Sequence, residues 1–421
     1  MQFIKKLIQF FKSWRYLDLN ENSSTVLMGY QGEDLLKYFD IEKENFICPS
    51  TKRPFNFRII FKSLVIFFKT LISRPLLFFK VLRWAHTIYF VCAFIEKKKV
   101  TNIVSFTDYN IIKFYIKKIL GKKIKNFFFQ NSRREKRPDY FNFDEYFLLT
   151  PLRNEEKTTT GNCKFNQFGS LRMNLSVNQN EMWKKIKNFP SQNENKTELL
   201  LISSLTPDFV DFIDKNFADE ISEDALGNYL NELVQKIDRK KNNFREKRFI
   251  NFLLLFYYLT NYARKRKDKL IILNRADPDS NFYQKEKKFY SNFTGVEFKK
   301  LNKINKYNFI LSNKQLIAVS DISTLSRECL AVNMKCLLFN EFINYTGEYW
   351  TSAKSIFYSK NENNEKFDLR LDKIKLLSKD DYMIEKNKIN HSSIVITPDQ
   401  DNFTYFLNTT NLKLNKTHDE I

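Results

Sequence analysis

Residues Ser320 to Asn340 read SDISTLSRECLAVNMKCLLFN. An apolar strand ends at Ser320-Asp321, the hydroxyl residues Ser323, Thr324 and Ser326 open a helix, and Glu328 falls in its first turns. A helix N-terminus presents backbone N–H groups that have no intrahelical acceptor, and hydroxyls beside them suit a monophosphate or diphosphate. Glu328 could then accept from ribose hydroxyls. The same residues equally describe plain N-capping by Ser323 or Asp321, with Glu favoured by the helix dipole. Spacing alone does not separate the two.

A carboxylate placed just beyond a strand's carboxyl end could act as a general base, taking a proton from a substrate hydroxyl. Asp108 lies just past the carboxyl end of an expected strand and is the first candidate for general base; an ordinary helix cap for the segment from Tyr109 is its alternative reading. Glu33 and Asp34, after the first strand, compete for the role. Gln130, Asn131 and Arg133 could hold acceptor or donor hydroxyls, or Arg133, Arg134, Lys136 and Arg137 form a solvated charge run. The three His (His86, His391, His418) stand alone. The five Cys (Cys48, Cys92, Cys163, Cys329, Cys336) are scattered, so neither a metal cluster nor a disulfide framework is implied. No Asp-x-Asp pair sits in a convincing strand-end context. No tightly bound cofactor or metal is expected.

The elements that must position these residues follow from short apolar runs. Strands are expected at Thr25–Tyr30, Val100–Phe106, Lys125–Phe129, Tyr146–Thr150 and around Phe168, with helices over Glu33–Phe39 and Tyr109–Leu120. The pattern restarts with strands at Glu198–Ser203, Lys269–Leu273, 296–299, Leu316–Ser320 and Lys335–Phe339. Helices fall between them at Asp208–Phe217, Glu223–Lys240, Phe244–Lys265, 280–292 and Thr324–Val332. Short buried strands alternating with helices call for parallel sheets covered on both faces. The expected fold is α/β, with two facing Rossmann-like domains and a ligand cleft between them. The first domain spans 1–175, a polar Asn-rich linker 176–197, and the second domain 198–421, its last residues returning to the first.

The chain has 421 residues, 43 of them Phe, and a net charge of +22 from 70 Lys+Arg against 48 acids. Phe, Lys, Asn and Ile share AT-rich codons, so the position of the charge says more than its sum. Residues 1–130 hold 23 Lys+Arg against 9 acids, and from 45 to 95 there is no acid at all. In that interval Arg58, Lys62 and Lys69 share one helical face, and Lys80, Arg83 and Thr87 another, beside wide Phe/Leu/Ile faces. These describe helices lying in a bilayer interface with Lys and Arg reaching anionic headgroups, or buried domain helices with solvated stripes. No uncharged run approaches about 18 residues, so a spanning helix is not expected. Residues 3–14 form a further basic amphipathic pattern, and no secretory signal is visible. The expected location is cytoplasmic, peripheral on the inner face of the cytoplasmic membrane.

The segment at 320–340 resembles the donor-site motif of bacterial surface-polysaccharide (O-antigen) glycosyltransferases of GT-B architecture, "D-x-STL-x-x-E-x-LA-x-x-x-K" ending in a strand. Ser326 and Asn333-Met334 depart from the usual pattern. In the same family IILNR at 271–275 is similar to a strand-to-loop Arg, which places Arg275 near donor phosphates, where bidentate pairing suits it. YTGEYW at 345–350 is similar to an aromatic loop closing over the donor, which implicates Tyr345, Glu348 and Trp350. IVSFTDYN at 103–110, FFFQNSRR at 127–134 and FGSLRMN at 168–174 resemble first-domain elements of the family. The resemblance implies a glycosyltransferase moving sugar from a nucleotide-sugar to a lipid-linked glycan at an anionic membrane surface, with Arg275 and the helix terminus handling phosphate charge. Transfer of an alditol phosphate on the same frame is a near alternative. A basic nucleic-acid-binding protein or a non-catalytic membrane scaffold stands further off, since no RRM, KH or zinc-finger pattern is present. Nucleic acid is therefore not an expected partner.

Overall fold

The computed structural model describes residues 14–16, 23–29, 35–36, 38–42, 45–47, 53–106, 111–130, 143–151, 163–190, 198–217, 222–236, 244–321, 323–340, 355–360, 362–389 and 395–415. The chain divides into two compact units, Met1–Leu175 with Asp399–Ile421, and Ser176–Pro398.

In unit 1, β1 (Trp14–Tyr16) pairs in parallel with β4 (Arg53–Phe55). The main sheet takes β2 (Thr25–Met28), β3 (Phe46–Ile47), β5 (Asn102–Ser105), β6 (Lys125–Phe129), β7 (Glu145–Leu148) and β8 (Lys164–Gln167) in the order β3-β2-β5-β6-β7-β8. Every pairing is parallel, for example Val26 opposite Ile103 and Phe128 opposite Tyr146. The helices are α1 (Phe57–Ser73), α2 (Pro75–Val81), α3 (Ala85–Lys97), α4 (Ile111–Leu120) and α5 (Leu171–Gln179).

Side chains alternate across these strands, and the two faces are covered differently. Val26, Met28 and Ile103 point to one face, where they meet the buried run Ile88–Ile95 of α3, backed by α1 and α4. Thr25 and Asn102 point to the other, and both donate to the Thr410 carbonyl (2.7 and 3.2 Å) at the end of the Gln400–Thr410 helix. Phe406 of that helix lies within 5.0–6.2 Å of the rings of Phe39, Phe129, Phe147 and Phe168. The chain's last helix thus supplies the missing layer of the first unit.

Two expectations about the basic helices need correction. The second does not run unbroken: a 3₁₀ turn at Leu82–Trp84 separates α2 from α3. Lys80 and Arg83 are exposed while Thr87 is buried, so these three form no common stripe. On α1, Lys62 faces inward enough to form a 2.9 Å ion pair with Glu96 of α3, and is not free for a headgroup. By length and composition Pro75–Lys97 could cross a membrane, yet half of it is buried inside the unit, as befits a core helix.

In unit 2, β9 (Glu198–Ile202), β10 (Lys269–Leu273), β11 (Val296–Lys299), β12 (Ile317–Ser320), β13 (Cys336–Phe339) and β14 (Tyr358–Ser359) form a second parallel sheet, ordered β11-β10-β9-β12-β13-β14. Counted along the chain, that is the 3-2-1-4-5-6 order of a dinucleotide-binding fold, with its switch point between β9 and β12. Unit 1 reverses between β2 and β5. Both units are Rossmann-like, as the strand-helix alternation predicts. The helices are α6 (Pro207–Phe217), α7 (Glu223–Lys236), α8 (Phe244–Arg266), α9 (Asn281–Ser291), α10 (Lys303–Ser312), α11 (Thr324–Ala331), α12 (Asn364–Leu376) and α13 (Lys379–Asn387). As its apolar middle predicts, α8 is buried: Phe256 packs on Phe289, Tyr290 and Phe293, and Tyr258 on Phe339 and Phe367.

The segment read from its Asn-rich composition as a linker carries structure. Within 176–197, α5 continues to Gln179 and a 3₁₀ turn spans Lys185–Lys187 with Ile186 fully buried. The buried Lys314 ammonium donates to the carbonyls of Lys185 (3.3 Å), Ile186 (3.0 Å) and Asn188 (2.6 Å), clamping the turn onto unit 2. One buried cation thus satisfies three backbone carbonyls, beside the turn's own bond from the Asn188 N–H to the Lys185 carbonyl (3.1 Å).

Candidate functional site

In a doubly wound sheet, ligands collect beyond the carboxyl ends of the strands at the switch point. In unit 2 three neighbouring strands deliver polar residues there: Ser203-Ser204 after β9, Asn274-Arg275 after β10, and Ser320-Asp321 at the end of β12. The strands are buried along their apolar runs, and side-chain chemistry begins where those runs stop.

Glu286 organises this edge. It stands on α9 with no solvent exposure, accepting from Ser203 Oγ (2.6 Å), the Arg275 N–H (2.8 Å) and the Ala276 N–H (2.8 Å). Tyr290, one turn on, donates its hydroxyl to Ser203 Oγ at 2.9 Å. Burial raises the Glu286 carboxyl above its ordinary value, against the lowering by its N–H and hydroxyl donors and Lys306. The loop after β10 is held from its other side by Asn274, which donates to the Ala276 and Leu301 carbonyls (2.7 and 2.9 Å). With its backbone fixed twice over, Arg275 is exposed as a residue, and one arm of its guanidinium reaches the Ser204 carbonyl at 2.6 Å. Burial of the guanidinium, and after it the Arg248 charge, lowers its proton affinity from the ordinary value, against Asp321 and Glu286.

Asp321 is buried at the end of β12, and α11 begins three residues later, capped by Ser323, whose hydroxyl accepts from the Leu325 N–H at 3.2 Å. Ser323 and Thr324 are half-buried at this helix start. Ser326 differs from the expectation for it. Its hydroxyl donates to Ser320 Oγ at 2.5 Å inside the core, tying helix to strand. Glu328 is buried within α11. The structure therefore brings Arg275, Asp321, Ser323 and Thr324 to one edge, with Ser326 beneath them as a structural tie.

In unit 1, Gln130 is buried after β6, and its oxygen accepts from the Leu149 and Thr150 N–H groups (3.0 and 3.3 Å). It joins two strand ends instead of offering that oxygen to a ligand. Asp108, Glu33, Asp34, Asn131, Arg133, Tyr345, Glu348 and Trp350 lie outside the described residues. Phe106, the last described residue before Asp108, follows β5 beside β2, its N–H donating to the Met28 carbonyl at 3.3 Å, and Leu35, the first described residue after Asp34, is buried. Arg58, Lys69, Lys80 and Arg83 are exposed on α1, α2 and the turn after it.

Glu286, Ser203 and Tyr290 are not among the candidate residues named from the sequence. The signal was available: Tyr283, Glu286 and Phe289-Tyr290 recur at helical spacing on the one apolar face of α9, so a carboxylate was due for burial and therefore for partners. Among the described residues no group of three or more His, Cys, Asp or Glu is arranged to hold a metal ion.

No protein-family model matches the chain, and no curated protein matches it. Among solved structures it is similar to the UDP-GlcNAc 2-epimerase from Neisseria meningitidis bound to UDP-GlcNAc, at 12% identity and a TM-score of 0.45, over 92% of this chain and 98% of that one. It is also similar to the trehalose-6-phosphate synthase OtsA, at 9% identity and a TM-score of 0.38, over 99% of this chain and 96% of that one. At such identities no residue role passes from either protein to this one.

Proposed function

We propose that the chain is a glycosyltransferase that moves a sugar from a nucleotide-sugar donor to a lipid-linked glycan at the cytoplasmic face of a membrane, in the building of a surface polysaccharide such as O-antigen or capsule. One observation carries the donor half of this reading: Arg275, Asp321 and the Ser323-capped start of α11 converge at the switch-point edge of unit 2. A rigidly seated Arg fork at the same strand edge as the N-terminus of α11 suits a diphosphate. Glu328 is assigned the ribose hydroxyls.

In this reading Asp108 takes the proton of the acceptor hydroxyl, with Glu33 or Asp34 as alternatives. The acceptor oxygen bonds to the sugar's anomeric carbon, and the bond from that carbon to the diphosphate breaks. The nucleoside diphosphate leaves with the electron pair, its charge met by Arg275 and the α11 terminus. The test is a thermal-shift screen of the full chain against UDP, GDP, CDP, CMP and TDP. One base should stabilise the protein well above the others. No shift with any of them at millimolar concentration would defeat the proposal.

A further inference from the structure

Most of the exposed large apolar side chains among the described residues lie on α1, α2 and the turn after them, the others being Leu369, Leu376, Met383 and Ile384 in unit 2. Phe57 (76% exposed), Phe61 (72%), Leu64, Phe68 and Ile72 (81%) follow at steps of three and four along α1, and Leu76 (80%), Phe79 (67%) and Leu82 continue at steps of three. The opposite side of α1 is fixed: Ile59 and Ile66 are buried, and the Phe67 ring meets those of Phe78 and Tyr89 at 4.8 and 5.3 Å. The helices are held in place by α3 while a second apolar face is turned outward. A contiguous apolar face of this size marks an interaction site.

Its charge selects the partner. Arg58, Lys69, Lys80 and Arg83 are exposed along the margins of the apolar rows, no acid occurs from 45 to 95, and the next acid, Glu96, is paired with Lys62. A second copy of the chain docking by this face would set the same cations against each other with no acid to meet them. A nucleic acid would match the cations and leave the aliphatic rows in water. Hydrocarbon flanked by anions is what a bilayer with anionic lipids offers. We propose that the α1–α2 face docks on such a bilayer, the Phe, Leu and Ile rows entering the headgroup boundary and the four cations pairing with lipid phosphates. This inference stands apart from the donor-site reading and deepens only its acceptor side.

The experiment is flotation of the full chain with vesicles of phosphatidylcholine alone or mixed with phosphatidylglycerol. The wild type should float with the mixed vesicles and much less with the neutral ones. Replacing the cations together (R58Q, K69Q, K80Q, R83Q) should weaken partitioning about five-fold per charge, on the order of hundreds-fold in all. Phe61→Ser, Phe68→Ser and Phe79→Ser combined should abolish flotation even at low salt; F68S and F79S singly should reduce it. All these side chains are exposed, so the melting temperature should stay near that of the wild type. Nucleotide-induced shifts should persist in every variant, which keeps this test separate from that of the donor site. The proposal is overturned if the wild type fails to float, or if the aromatic variants float like it. It is equally overturned if the wild type sediments as a dimer that those variants dissociate, or if it binds RNA in preference to vesicles.

Discussion

Replacing Arg275 by Ala tests the donor edge with little risk to the fold. The backbone of residue 275 is held by Glu286, and the residue is exposed, its guanidinium donating to the Ser204 carbonyl. Stability without ligand should therefore change by less than about 1 kcal/mol. Against a diphosphate, the fork would form two charge-assisted hydrogen bonds. Each is worth about 1.5 kcal/mol at the low end, so their loss of about 3 kcal/mol weakens Kd roughly 150-fold. At a nucleotide concentration of about 100 times the wild-type Kd, binding stabilises the wild type by about 2.7 kcal/mol, and the same concentration stabilises the variant by only about 0.3 kcal/mol. For a unit the size of Ser176–Pro398, with about 2–4 °C per kcal/mol, a shift of roughly 5–11 °C should shrink to about 1 °C. Differential scanning fluorimetry with the best nucleotide of the screen reads this directly. Arg275→Lys keeps the charge without the fork and should fall between. If Arg275→Ala retains the full nucleotide shift, Arg275 does not hold the phosphates and the assignment of this edge is wrong.

Other outcomes follow from the same geometry. Glu286→Ala leaves the Arg275 and Ala276 N–H groups and the Ser203 hydroxyl without their buried acceptor, and should cost about 3 kcal/mol in urea unfolding while also reducing the nucleotide shift; unchanged values for both would refute its organising role. Phe406→Ala opens a hole among four rings in unit 1 and should cost about 3–5 kcal/mol, read as a lower urea midpoint, with nucleotide binding in unit 2 retained. Burial, followed by the Lys386 charge, lowers the Lys314 ammonium from 10.5 to about 8. Between those values the unfolded chain binds more protons than the folded one, so this residue's contribution rises with pH through the window, by at most about 1.4 kcal/mol per pH unit. The stability difference between the wild type and Lys314→Met should accordingly move in favour of the wild type from pH 7.5 to 9.5. Parallel pH curves would refute the buried clamp.

Much of the fold was legible in the chain. Parallel strands covered on both faces must be apolar throughout, so ELLLI, KLIIL, IAVS and CLLF announce themselves between amphipathic helices. The residues that end those runs, Arg275 and Ser320-Asp321, were visible for the same reason: polarity resumes where a strand leaves the core. Glu286 was less legible, because its role lies in partners contributed by residues 83 and 11 positions away. Ser326 was misread because a hydroxyl at a helix start looks the same whether it meets a ligand or the Ser320 hydroxyl.

By itself, then, the amino-acid sequence determined the alternation of strand and helix, the burial of each strand, the edge at which polar chemistry begins and the acid-free basic interval. Tertiary structure alone decided the order of the strands and hence the position of the switch points. It also decided which side chains of the first unit the returning Gln400–Thr410 helix meets, and the seating of Arg275. On α1, periodicity defines two apolar faces, and nothing local says which is covered. Packing against α3 covers the face of Ile59 and Ile66 and draws Lys62 to Glu96, leaving the Phe61–Phe68 face outside. The physical reason is that periodicity is a property of one helix, whereas coverage is a property of its neighbours.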